Sequence, residues 1–97
     1  MSARSYSWRN ENAQIDLLID RNDNCINLFE MKFTNSEYTV SKKYKRELQN
    51  KKNEFVKELN KQKNVFITMV TTYGVKTNKN SWVIDNEVNI DVFFENF

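Results

Sequence analysis

The sequence predicts an α+β domain. It is a mixed β-sheet in the chain order β-β-β-α-β, with a small β/α tail and one long helix across one sheet face. Three observations predict it. Residues 14–20 and 25–33 are apolar runs flanking an Asn/Asp-rich turn, which is the pattern of a β-hairpin. Residues 41–62 carry apolar side chains at helical spacing. Residues 65–71, Val-Phe-Ile-Thr-Met-Val-Thr, are rich in β-branched side chains. A strand, a helix and a strand in one sheet call for a parallel crossover, so this last strand should lie parallel to the one carrying Glu30.

The elements follow in order. Tyr6 and Trp8 alternate with polar neighbours, so a short first strand is expected there. Glu11 and Asn12 form a turn. The run 14–20, Gln-Ile-Asp-Leu-Leu-Ile-Asp, is apolar apart from its acids. Residues 21–24, Arg-Asn-Asp-Asn, are turn chemistry, because Asn and Asp tolerate left-handed backbone and bond back to it. The run 25–33 is the returning strand. Thr34, Asn35 and Ser36 turn the chain again. Ser41 is placed to cap a helix running to about residue 62. Its stripe is Tyr44, Leu48, Phe55, Val56 and Leu59, with polar Lys52 in the gap. Asn64 breaks the helix. Residues 73–80, around Gly74, form a polar loop, and residues 81–90 hold one more short strand or hairpin. Asp91 caps a terminal turn with Val92, Phe93, Phe94 and Phe97.

Composition removes whole classes of chemistry. The chain has 97 residues, the size of one domain (1–97), and a hydrophobic share of 39% places it among globular chains. Proline is absent and Gly74 is the only glycine, so there is no glycine-rich phosphate loop. Histidine is absent, which excludes His-based triads, Cys-His dyads and His–metal sites. Cys25 is the single cysteine, so neither an internal disulfide nor a zinc cluster can form, and a reducing compartment fits. No apolar run approaches the ~20 residues of a membrane span, and the N-terminus has no signal-peptide core. The expectation is a cytoplasmic protein without a membrane partner. Its chemistry must use carboxylates, lysines and a hard metal ion.

Charge is unevenly placed. Residues 42–63 contain nine basic and three acidic side chains, whereas residues 80–97 contain four acids and no base. The basic stretch is either a solvated helix face or a ridge for a polyanion.

Two apolar strands carry charge where a core strand should not. Asp16 sits within residues 15–19, and Glu30 and Lys32 within residues 26–33. Charge in such a place needs a partner, a metal or an opening to solvent. Strand alternation puts Glu30 and Lys32 on one face, and Phe29, Met31 and Phe33 on the other, which reads as core. A three-residue hairpin loop of Asn22, Asp23 and Asn24 sets Asp16 opposite Glu30. Opposed carboxylates repel, and a divalent cation between them turns repulsion into binding. Mg²⁺ takes one or two carboxylates together with waters and phosphate oxygens. Lys32 beside it can orient a water and offset charge on the phosphorus. An Asp with Glu-x-Lys on the neighbouring strand therefore suits metal-dependent phosphodiester hydrolysis. Glu-x-Lys alone is a weak signal, since eight Glu and eleven Lys produce about one by chance. The competing reading is a sheet-edge charge cluster without chemistry.

The segments 13–21, Ala-Gln-Ile-Asp-Leu-Leu-Ile-Asp-Arg, and 26–33, Ile-Asn-Leu-Phe-Glu-Met-Lys-Phe, resemble the PD-(D/E)XK nuclease superfamily. More narrowly, the chain is similar to the nuclease-like domain at the C-terminus of certain bacterial AAA-type ATPases. The similarity extends through Ser41, Lys42 and Tyr44 to the strand ending in Thr71, Thr72, Tyr73 and Gly74, and covers about residues 5–95. It implies a restriction-endonuclease-like fold and a DNA hydrolase. It implies Asp16 and Glu30 as ligands of Mg²⁺ or Mn²⁺, and Lys32 as the catalytic lysine. That fold usually begins with a helix covering one sheet face; here the chain starts at or just before the first strand. No ATP-binding loop is present either. The expectation is a domain excised from a longer protein, or a shortened stand-alone copy. One helix covers one face, and apolar patches beyond roughly a few hundred Å² find a partner. That partner would be the ATPase portion or a second copy in a homodimer. The alternative function is a catalytically inactive module that binds DNA, docks or dimerises.

The remaining candidates are placed by position. Gln14, two residues before Asp16, lies on its face and is a phosphate or metal-water contact or a plain rim amide. Asp20, nearer the turn, is expected to be solvated. A helix N-terminus favours anions, so Ser41, Lys42, Lys43, Lys45 and Arg46 are the candidate DNA-backbone contacts, or else a cap with exposed bases. Trp8, Trp82 and Tyr73 are core or rim aromatics, or base-stacking platforms. Cys25 is expected to be a small buried hydrophobe.

Overall fold

The computed structural model describes residues 3–21, 23–59 and 62–90. Its elements are β1 (Arg4–Arg9), β2 (Gln14–Asp20), β3 (Cys25–Lys32), α1 (Lys42–Glu58), β4 (Asn64–Thr71), a 3-10 turn (Ser81–Val83) and β5 (Asn86–Asn89). The strands form one five-stranded sheet in sequence order. β1, β2 and β3 are antiparallel, while β3, β4 and β5 are parallel. The predicted α+β class and element order hold over these residues. The terminal turn expected from Asp91 onward lies outside them.

Local chemistry accounts for the turns. The Asn10 side chain accepts from the backbone N–H of Asn12 and of Ala13, both at 2.8 Å, closing the β1–β2 turn over Glu11 and Asn12. At the β2–β3 hairpin, Arg21 N–H donates to the Cys25 carbonyl at 3.1 Å, and Asn24 takes a φ of 66°. Asn is one of the few residues that adopts this left-handed backbone readily. The register runs from Asp20↔Ile26 to Leu17↔Phe29, which is the register that three-residue loop predicts.

One irregularity was not legible in the sequence. The β1–β2 register shifts between Tyr6↔Leu18 and Trp8↔Ile15, so Asp16 and Leu17 face the single residue Ser7. This is a β-bulge, which kinks a strand and re-aims its side chains. Ile15 and Leu18, three residues apart, consequently share one core cluster.

Helix α1 begins as predicted. The Ser41 side chain accepts from Tyr44 N–H at 3.0 Å. It ends at Glu58 rather than near residue 62, because Leu59 leaves helical backbone with ψ 130°. Tyr44, Leu48 and Phe55 are buried along its inner face. Val56 is 44% exposed and lies off the stripe. Leu48 and Tyr44 pack with Ile67 and Met69 of β4, while Phe55 packs with Ile15, Leu18, Ile26 and Leu28. Trp8 closes that second cluster edge-on to Phe55, with ring centroids 5.4 Å apart.

The core therefore lies on the face of β3 that carries Ile26 and Leu28, and alternation puts Glu30 and Lys32 on that same face. This corrects the expectation that Phe29, Met31 and Phe33 point into the core. Phe29 is half-buried, Met31 is 41% exposed and Phe33 60%. The helix-facing side of β3 is apolar at one end and charged at the other. Cys25 is half-buried rather than buried. Asp20 is buried, not solvated, because Lys63 bonds it at 2.8 Å and Arg4 lies 3.9 Å away.

The loop after β4 is pinned by side chains. Gly74 has a φ of 89°, which other residues rarely adopt. Its N–H donates to Thr71 Oγ1 at 2.8 Å. Asn78 and Asn80 both donate to the Val40 carbonyl at 3.2 Å, tying this loop to the start of α1. No described helix is long and apolar enough to cross a membrane.

The other end of α1 is tied to the β1–β2 turn. Glu54 accepts from Lys57 at 2.9 Å, from Asn12 at 3.0 Å and from Asn10 at 3.1 Å. These bonds, the Lys57 one first, hold its carboxyl at about 2, below its ordinary 4.5. A carboxyl with a lowered folded-state pKa stabilises the fold above its unfolded pKa. That contribution is lost as pH falls from about 4.5 towards 2. Glu54→Gln should therefore flatten the acid limb of a stability–pH profile in this window, measured by urea unfolding. The difference should shrink with added salt.

Candidate active site

The sequence-predicted triad meets in one place. Asp16, Glu30 and Lys32 line a single cleft of about 300 Å³, with Tyr44, Glu47 and Lys51 of α1 on its other wall. Asp16 is exposed and comes from the bulge of β2, with its Oδ1 accepting from Gln14 Nε2 at 3.0 Å. Asp16 and Glu30 are the next positions outward from the Leu17↔Phe29 pair.

Glu30 is held from both sides. Its Oε1 accepts from the Tyr44 hydroxyl at 2.7 Å, and its Oε2 from Lys51 Nζ at 2.9 Å. Burial first, and then the bond to Glu30, pushes the Tyr44 hydroxyl far above its ordinary 10. Tyr44 thus stays protonated and remains a donor. Lys32 places its ammonium over two rings, 4.6 Å from the centroid of Tyr44 and 5.8 Å from that of Tyr38. Cation–π attraction holds the charge inside the cleft. Tyr38 is itself pushed upward by burial, with Glu47 and Glu30 adding to the effect.

Among the described residues, no cluster of three or more Asp, Glu, Cys or His side chains could share a metal. The carboxylates of the cleft that could hold an ion in the predicted way are the pair Asp16 and Glu30. Such a pair fits Mg²⁺ or Mn²⁺, which takes one or two carboxylates and fills its octahedron with water and phosphate oxygens. Both Glu30 oxygens already accept one bond. A carboxylate oxygen has a second lone pair, so the existing bonds do not exhaust it.

The predicted nucleic-acid contacts divide. Gln14 lines an adjoining cavity of about 400 Å³ that shares Asp16, Glu47 and Lys51 with the cleft. Lys42, Lys43 and Arg46 line an open groove that shares Glu47 and Asn50 with that cavity. A continuous track thus runs from the acidic cleft to the basic start of α1. Ser41 is occupied as the helix cap. Lys45 does not join the track, because it lies 5.7 Å from the Trp82 ring centroid on the other flank of the helix. Trp82 and Tyr73 are exposed, whereas Trp8 is a half-buried core aromatic.

Sequence reasoning missed Glu47 and Lys51 as cleft residues. The signal for Lys51 was present. Position 51 lies between Leu48 and Phe55 on the inner face of the helix, and a lysine there requires a carboxylate on the sheet. No protein-family model, curated protein or solved structure matches this chain.

Proposed function

We propose that this domain hydrolyses DNA phosphodiesters with Mg²⁺ or Mn²⁺ on a restriction-endonuclease-like, PD-(D/E)XK scaffold. The observation carrying this reading is the convergence of Asp16, Glu30 and Lys32 in one cleft. The antiparallel β1–β2–β3 unit followed by a helix and a parallel β4 supports the same scaffold. Asp16 and Glu30 would hold the ion. When bound, it supplies Lewis-acid polarisation of the phosphate and a more acidic water. Lys32 orients the attacking water and offsets charge on the phosphorus. A bond from the water oxygen to phosphorus forms, the ester P–O bond breaks, and the proton passes to the leaving oxygen. Tyr44 and Lys51 fix the Glu30 carboxylate. Lys42, Lys43 and Arg46 hold the DNA backbone along the track. The apolar side bearing Met31 and Phe33 would seat an ATPase portion of a longer protein or a second copy.

A second reading is favoured by one observation. Both Glu30 oxygens are already bonded within the domain, which suits an inactive nuclease-like module that binds DNA without cleaving it. Calorimetric titration with Mn²⁺ separates the two. Catalysis predicts wild-type binding that Asp16→Asn and Glu30→Gln each weaken at least tenfold. Absence of wild-type binding overturns the catalytic reading.

A further inference from the structure

The far flank of α1 carries a second constellation, independent of the cleft and of any metal. Trp82 is 63% exposed, the most exposed large apolar side chain among the described residues. Its support is rigid. Val83 beside it is buried in the core. Asp85 clamps the segment to β4, its N–H donating to the Ile67 carbonyl at 2.8 Å and its Oδ2 accepting from Ile67 N–H at 2.7 Å. The backbone beside Trp82 is thus anchored to the core and to β4, while the indole itself stands in water next to Lys45.

Next to it lies a groove of about 430 Å³ between α1 and the 3-10 turn. Ile67 and Val83 supply its apolar lining, and Gln49, Lys52 and Asn53 its polar wall. Lys45 stands at the indole, 5.7 Å from the ring centroid. Asp85 also lines the groove, its Oδ2 accepting from the Ile67 N–H, so its charge offsets that of Lys52 and the second cation, Lys45 at the indole, leaves these three residues with one net positive charge. The helix turns by roughly 100° per residue. Lys45, Gln49 and Lys52 therefore share one flank, while Glu47, Asn50 and Lys51 face the cleft on the other.

We propose that this groove binds single-stranded nucleic acid, with one base stacked on Trp82 and adjoining phosphates on Lys45 and Lys52. A flat aromatic surface, amides for a base edge and cations for the backbone are what a nucleotide requires. A paired duplex keeps its base faces stacked internally, so the ligand is a single strand or an unpaired stretch.

The test is fluorescence titration of the full chain with oligo-dT and oligo-rU at low and high salt. A Trp8→Phe variant leaves Trp82 as the sole reporter. The expected result is quenching of Trp82 emission with affinity that falls as salt rises. Trp82→Ala should weaken binding roughly 5- to 150-fold, the value of one stacked base, and Trp82→Phe less, both read by the anisotropy of a dye-labelled oligonucleotide because these variants lack the Trp82 reporter. Lys45→Ala with Lys52→Ala should reduce the salt slope. Quenching by either oligonucleotide supports the site, and a preference between them identifies the sugar it accepts. Unquenched Trp82, or equal affinity in Trp82→Ala, overturns it. Neither outcome depends on whether Asp16 and Glu30 bind a metal.

Discussion

Lys32→Ala is expected to lower metal-dependent DNA cleavage by about 10²–10³-fold while leaving Mn²⁺ binding intact. That is the usual cost of removing one preorganised group facing transition-state charge. The two effects separate because Lys32 faces the rings of Tyr44 and Tyr38 rather than serving as a metal ligand. Nicking of supercoiled plasmid measures the first effect and calorimetry the second. Retained cleavage in Lys32→Ala would remove the lysine from the mechanism. Lost metal binding would instead make it part of the ion's site. Lys32→Arg should not restore the rate, since a planar guanidinium does not reproduce the compact ammonium that lies near both the Tyr44 and Tyr38 rings.

Glu30→Ala should destabilise the fold by about 2–3 kcal/mol, a large part of the roughly 5–15 kcal/mol that holds a small domain together. The substitution strips Lys51 and the buried Tyr44 hydroxyl of their acceptor at once. Glu30 is only 11% exposed at its side chain, so the charge left behind on Lys51 is poorly compensated by water. Glu30→Gln should cost less, because its amide oxygen still accepts from Tyr44. Adding Lys51→Met to Glu30→Ala should recover part of the loss by removing the unpaired charge. Urea unfolding of the four proteins measures this directly. Equal stability of Glu30→Ala and wild type would mean that the Glu30–Lys51 contact is solvent-screened and contributes nothing.

Together these variants distinguish what Glu30 does for the fold from what it does for chemistry. The same carboxylate anchors α1 to β3 and belongs to the proposed metal pair. Loss of metal binding in Glu30→Gln is therefore informative only alongside its stability. Asp16 is simpler, because it is exposed and is bonded by the neighbouring Gln14 side chain rather than by the helix.

Much of the scaffold was legible because it follows from neighbours in the chain. The Asn-rich turn sets the β2–β3 register, Ser41 caps α1, and the β-branched run forms β4. The grouping of Asp16, Glu30 and Lys32 was legible for the same reason, since hairpin register and strand alternation bring them together. What failed depended on contacts between distant residues. Alternation alone could not decide which face of β3 the helix would cover. The apolar Phe29, Met31 and Phe33 looked like core, yet α1 packs on the side of Ile26 and Leu28. Asp20 looked solvated until Lys63, 43 positions away, closed over it.

The sequence by itself determined the hairpin, the helix and its cap, the parallel strand and the chemistry left after histidine and glycine loops were excluded. Only the tertiary structure decided the bulge that presents Asp16, the Tyr44–Glu30–Lys51 linkage and the separation of Lys45 from the other bases of α1. The reason is physical. Turns, caps and strand propensity are settled by a few adjacent residues. A buried charge, by contrast, is settled by whichever partner packing brings within about 3 Å of it, and that partner can lie anywhere in the chain.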